Sequence, residues 1–252
     1  MIHHGFMTDL DALVPPHEPA DDTLAFAGKA VLSLVPIVGT LAAETLAHAL
    51  EARQAQRQHD FNVEIARALT AVIEQLSEAT TIEDIVASDE FIAAVTRAQR
   101  AAAETASLDK RRRLAAAVAN GGSWAAFSTT EREQFTRLVD EFDALHIWLL
   151  HYFTNPSAWL QARDLYQQHE SIMMGGIVGP LESALSAPQN VWQGAVTQAA
   201  ADLDRNGLAS IPLTTMMSAQ GILAPRTLDK GHRFLTFIHE PDSTGANAPA
   251  NL

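Results

Sequence analysis

Two groups of side chains in this 252-residue chain have the type and spacing to do chemistry: a pair of histidines among acids, and two clusters of cations. Asp143 and His146 stand three positions apart, the separation at which neighbours on one helix face can share a metal ion, with Glu141 and His151 close by. Five positions separate His146 from His151, which on a straight helix turns them about 140° apart, so the two cannot grip one ion together. His146, beside Leu145 and Leu149, reads more simply as a half-buried residue, with Trp148 and His151 on the opposite flank. The first cation cluster is Lys110, Arg111, Arg112 and Arg113, joined by Arg97 and Arg100. Against Glu104 and Asp109 these six bases leave a local charge of +4, enough to hold a phosphate-rich ligand. Four consecutive bases on a helix point round the whole cylinder rather than into one groove, so a solvated surface or a bridge to an acidic segment is the plainer expectation. The second cluster is Arg226, Lys230 and Arg233, the remaining candidates for nucleic-acid or partner contacts.

Signatures of common catalytic sites are missing: there is no Walker loop, no G-x-G-x-x-G, no G-x-S-x-G and no H-E-x-x-H. Gly121-Gly122-Ser123 and Gly175-Gly176 are expected as helix stops rather than active-site turns, the second pair within a loop or hinge over Met173 to Pro180. No catalytic, cofactor-binding or metal-binding residue is assigned on these grounds, and a protein that is not an enzyme is expected.

The balance of 17 basic against 30 acidic side chains gives a formal charge of −13, which repels polyanions at long range and disfavours nonspecific contact with DNA, RNA or anionic lipid. Cysteine is absent, which excludes disulfides and thiolate sites. Residues 1–22 carry five acids and no Lys or Arg, so they lack the basic flank of a secretory signal and a cytoplasmic protein is expected.

The elements that must position these groups are mainly helical. Residues 1–22, with Pro15, Pro16 and Pro19 among acids, are expected as an extended acidic arm. A helical bundle is expected over 23–128. Its first helix is interrupted at Pro36 and Gly39, and a second carries the stripe Phe61, Ile65, Leu69, Val72 and Leu76. Thr81, Ser88 and Ser107 are helix caps by chemistry, and Gly121-Gly122 offers a left-handed stop. Thr130 to Glu133 reads as a capping box opening one long helix with the stripe Phe135, Leu138, Phe142, Leu145, Leu149 and Tyr152, closed by Asn155-Pro156. The uncharged stretch Ala30 to Ala43 is 14 residues long, about 21 Å as a helix, short of the roughly 30 Å of a bilayer core. Burial within the bundle is expected for it. Membrane perturbation on activation is the competing reading. The tail 241–252 is expected to be disordered.

The last quarter runs as a helix from Val191 to Asn206 and a stop at Gly207. An apolar arm from Ile211 to Leu223 follows, expected as a ribbon, then the turn Thr227 to Gly231 and a closing strand Phe234 to Ile238. That order resembles the end of a winged-helix domain, so a winged-helix-like module with a small β-ribbon is expected over 129–240. Its recognition-like helix carries Gln193, Thr197, Gln198, Asp202, Asp204 and Arg205, a neutral-to-acidic face, whereas DNA readers need cations for phosphates and guanine edges. A DNA-binding regulator is therefore the alternative rather than the leading reading.

Together with Leu145 to Leu150 ahead of Asn155-Pro156, and with Thr227, Gly231 and Phe234, this layout resembles bacterial proteins of the Abi-alpha type, a family associated with abortive phage infection. The resemblance carries over no catalytic residue. It implies an intracellular, non-enzymatic helical protein in phage defence or stress that acts through a protein partner or self-association.

Overall fold

The computed structural model describes residues 40–74, 81–169 and 173–239; side chains are described from residue 47. The expected N-terminal arm, the break at Pro36 and Gly39, Leu76, the tail and most of the uncharged stretch Ala30 to Ala43 lie outside the described residues.

The described chain is mainly helical. Helix α1 spans Thr40–Ile73, α2 Ile82–Val86, α3 Asp89–Glu104, α4 Leu108–Ala119, α5 Thr129–Glu141, α6 Ala144–Thr154 and α7 Pro156–Gln161. After a 3₁₀ turn at Tyr166–Gln168 come strand β1 Met174–Gly175, α8 Val178–Leu185, α9 Gln189–Arg205, β2 Met217–Ser218, α10 Ala219–Ile222 and α11 Asp229–Ile238. No helix among the described residues is long and apolar enough to cross a membrane.

The expected caps operate as their chemistry requires. Thr81, Ser88 and Ser107 each accept an orphan amide at the start of α2, α3 and α4, and Asn155 does so for α7 with Pro156 in the first turn. On α1, Phe61, Ile65, Leu69 and Val72 are buried, whereas residues 53–60 are exposed. The helix therefore joins the core through its second half, against α3 and α4. Apart from a small cluster of Ala68, Val72 and Ala119, one large apolar cluster then runs from Phe61 to Ile238. Phe127, Phe135, Phe142, Phe234 and Phe237 meet edge-on or tilted inside it, tying α5 to α11.

Several expectations require correction. The helix over 130–152 is two helices: Phe142 is extended, and Asp143 caps a new start by accepting the amides of Leu145 and His146. The apolar spacing continues through the break, which hid it. Leu145, expected in the core, is consequently only partly buried, while Leu149 is fully enclosed. The capping box at its beginning belongs to Ser128 with Glu131 rather than to Thr130 with Glu133. The closing run Phe234 to Ile238 is not a strand but the end of α11, because Gly231, Phe234, Phe237 and Ile238 place an apolar stripe at helical spacing against α4, α5 and α6. The arm Ile211 to Leu223 does not fold back as a wing; its strand β2 pairs antiparallel with β1, forty residues earlier in the chain, and Gly175 is thereby a strand residue rather than a helix stop. Finally, Gly121 and Gly122 follow α4 without a positive φ; among described glycines only Gly207 has one, at +68°.

Gly207 closes α9 in a Schellman arrangement: its own amide donates to the Asp204 carbonyl and the Leu208 amide to that of Leu203, both at 2.9 Å. Gly231 answers a different need, since a Cβ there would lie 2.2 Å from the Leu208 carbonyl oxygen and 2.8 Å from Thr227 Cγ2. Leu149→Ala is expected to cost about 2–5 kcal/mol and Leu145→Ala less than about 2 kcal/mol. Gly231→Ala is expected to cost about 1–3 kcal/mol through overpacking. Denaturant melts of the three variants check this, and equal losses at Leu145 and Leu149 would contradict the helix break.

Candidate interaction surface

The cations singled out in the sequence are placed by their helices, and the structure scatters the first cluster. On α4, Lys110 donates to the Asp140 carbonyl at the end of α5, while Arg112 turns the other way to Glu64 of α1 at 4.0 Å. Arg113 is drawn inward, where burial lowers its pKa against the opposing pull of Asp109 and Asp143. Arg111 lines a cavity of about 40 Å³ with Asp60, Phe61 and Glu64, and its Nη1 is buried without a hydrogen-bond partner. Arg97 and Arg100 are exposed on α3. The four consecutive bases thus leave α4 in different directions and form no single anion cradle.

The second cluster is engaged by the fold at each position. Lys230 Nζ donates to the Asn206 carbonyl at 2.8 Å, satisfying the end of α9. Arg233 forms a two-pronged contact with Glu131, its Nη2 2.9 Å from Oε2, and lies over the Phe127 ring. Arg226 is held deepest. Its backbone amide and that of Thr227 both donate to the Phe153 carbonyl at the end of α6, at 2.7 and 3.2 Å. Its guanidinium donates to the Gly221 carbonyl at 2.5 Å and touches Met217 Sδ at 2.8 Å, and burial lowers its pKa.

The histidines also resolve into separate environments. His146 lies flat on Phe142, its Nδ1 2.7 Å from Asp143 and its Nε2 3.6 Å from Asp202 of α9. The i, i+3 pair is therefore a helix cap joined to an interhelical contact. Burial opposes charge on Asp143, but hydrogen bonds from the His146 side chain and backbone outweigh it and hold the carboxyl below its ordinary value. Asp202 is held low chiefly by Gln198, then by His146 and Arg205. His151 sits apart, kept low by burial and then by His239 and Arg113. Among the described residues no group of three His, Asp or Glu side chains could hold a metal ion.

Sequence reasoning missed the feature that stands out on the surface. Two Met-Met pairs, Met173-Met174 and Met216-Met217, are brought together by the β1–β2 pairing, Met174 opposite Ser218 and Gly175 opposite Met217. Alternation along a strand puts Met174, Met216 and Ser218 on the outer face and Met217 on the inner one, where it packs on the core and meets Arg226. Met173, Met174 and Met216 are 87%, 66% and 68% exposed. The sequence held one signal for this: residues 171–181 and 206–225 contain no charged side chain, in a chain with 47 of them, and four of its six methionines lie in those two stretches.

The Glu131–Arg233 contact generates a pH prediction. The Arg233 hydrogen bond first, and the Ser128 amide second, lower the Glu131 carboxyl from 4.5 to about 2. A carboxyl depressed on folding stabilises fully above its unfolded value, and the contribution is lost as pH falls from about 4.5 through about 2. Glu131→Gln is expected to melt below the parent chain at neutral pH, with the gap closing toward pH 2. A gap independent of pH would show that Glu131 acts by shape and capping alone.

Comparison with known proteins adds no relative: no family model, no curated protein and no solved structure matches this chain.

Proposed function

We propose that this protein acts without catalysis, inside a bacterial cell, by binding a second protein through the methionine ribbon. The observation that carries the reading is the exposed, charge-free face of Met174 and Met216 on an otherwise acidic chain. Methionine is unbranched and polarisable, so a surface of such side chains repacks around an apolar partner. Strands of two residues offer too few backbone groups to recruit another strand, which leaves side-chain recognition as the source of affinity. The ribbon has no cation with which to attract acids, and the charge of −13 repels them. The occupant that fits is an amphipathic helix presenting an uncharged apolar face. The setting in phage defence or stress is the one implied by the Abi-alpha resemblance. A DNA-binding role would need free cations, and Arg226, Lys230 and Arg233 are already committed to carbonyls and to Glu131.

The test is a fluorescence titration with a capped amphipathic peptide built from Leu, Ala and Gln. Saturable binding is expected, little changed between low and physiological salt, because no ion pair is involved. It should be lost in the double variant Met174→Glu, Met216→Glu, whose melting temperature should match the parent because both side chains face solvent. Absence of binding, or binding indifferent to that double substitution, would overturn the ribbon as the docking surface. For the setting, a phage-infected culture expressing the chain should release fewer phage than one expressing the double variant. Equal release would remove the defence role.

A further inference from the structure

Arg226 has its guanidinium folded inward, and among the described residues no carboxylate pairs with it. Its Nη2 is directed at the Gly221 carbonyl and at the sulfur of Met217, 2.8 Å away, and its Nε is buried with no hydrogen-bond partner. The Gly221 carbonyl satisfies Nη2, but the thioether beside it is a weak acceptor and Nε is left with none. Buried donors in a folded protein normally find an acceptor, and an orphaned one asks for an explanation.

We infer that Met217 is a redox-modification site and that Arg226 is the group that receives its oxidised side chain. The oxidant is a peroxide. With hydrogen peroxide, the lone pair of Sδ attacks one oxygen, an S–O bond forms and the O–O bond breaks. The displaced oxygen leaves as water after taking the proton from the transferred one. Sulfur loses two electrons, the peroxide gains them, and the products are methionine sulfoxide and water. The sulfoxide oxygen is a strong acceptor carrying partial negative charge, the kind of partner that Arg226 Nε lacks in the reduced protein. Three rotatable bonds let the Met217 side chain withdraw enough for the oxygen to enter beside the guanidinium.

The surroundings suit this chemistry. The chain has no cysteine, so methionine carries all its sulfur, and four of six methionines meet at the ribbon. Met173, Met174 and Met216 stand in solvent around Met217, and their oxidation turns the outer face polar. The loss of apolar docking that follows rests on the interaction reading above; the chemistry at Met217 does not.

The experiment treats the full-length chain with hydrogen peroxide and maps oxygen uptake by peptide mass while following the melting temperature. Met173, Met174 and Met216 are expected to gain one oxygen each, and Met217 to gain one while the chain stays folded. In parallel, Met217→Gln, whose side-chain carbonyl stands in for the sulfoxide oxygen, is expected to melt at or above Met217→Leu, which offers Arg226 no acceptor. Met217 remaining reduced in folded protein after the three exposed methionines are fully oxidised would overturn the inference. So would a Met217→Gln variant melting several degrees below Met217→Leu. Neither readout involves a partner, so each succeeds or fails independently of the peptide titration.

Discussion

The carbonyl end of α6 is the constraint on which the rest of the C-terminal half depends. Asn155-Pro156 ends that helix abruptly, and proline has no amide to return, so the last carbonyls of a buried helix must find donors elsewhere. They find them more than seventy residues away. Thr227, the one buried polar residue among those described, donates its hydroxyl to Leu150 at 2.7 Å, and the amides of Arg226 and Thr227 both reach Phe153. Thr154 supplies a local hydroxyl to the same Leu150 carbonyl. The Leu150 carbonyl is thus served locally as well, whereas that of Phe153 receives the two distant amides; left unpaired at this depth it would cost about 1–3 kcal/mol, which favours bringing the distant segment here.

Once that segment is fixed, its neighbours follow. The stretch beside Thr227 pairs with Ala209, Leu228 donates to Leu208, and α11 starts immediately afterwards, close enough to Leu208 that position 231 has room only for glycine. Helix α11 then lays Phe234 and Phe237 against Phe135 of α5, and Asn120 at the end of α4 donates to the Phe237 carbonyl. The same placement turns the Arg226 side chain toward Gly221 and Met217, which anchors the inner face of the ribbon and leaves its outer methionines in solvent. A helix end and a surface patch are thus joined through two consecutive residues.

Charge is used conservatively in this molecule. Lys110, Lys230 and Arg226 donate to backbone carbonyls, and Arg233 is matched to Glu131, so each is spent on closing a helix end or tying two helices together. The ribbon, free of charge over both contributing stretches, differs from the rest of the surface in the property that matters for association, since nothing there must be desolvated at the cost of an ion.

The sequence by itself determined the helical class, most helix starts and the core stripes, because caps and apolar periodicity are local: Thr81, Ser88, Ser107, Asn155 and Gly207 act within a few residues of themselves. It did not reveal the break at Phe142, where the apolar phase runs on across two extended residues, nor the helical state of Phe234 to Ile238, which short apolar runs leave ambiguous between helix and strand. Tertiary structure alone decided where Lys110, Lys230 and Arg233 went, since each meets its carbonyl or carboxylate 24 or more residues away in the chain. It alone decided the ribbon as well. Two Met-Met pairs some forty residues apart become one surface only because long-range hydrogen bonding, which has no sequence period, sets β1 beside β2.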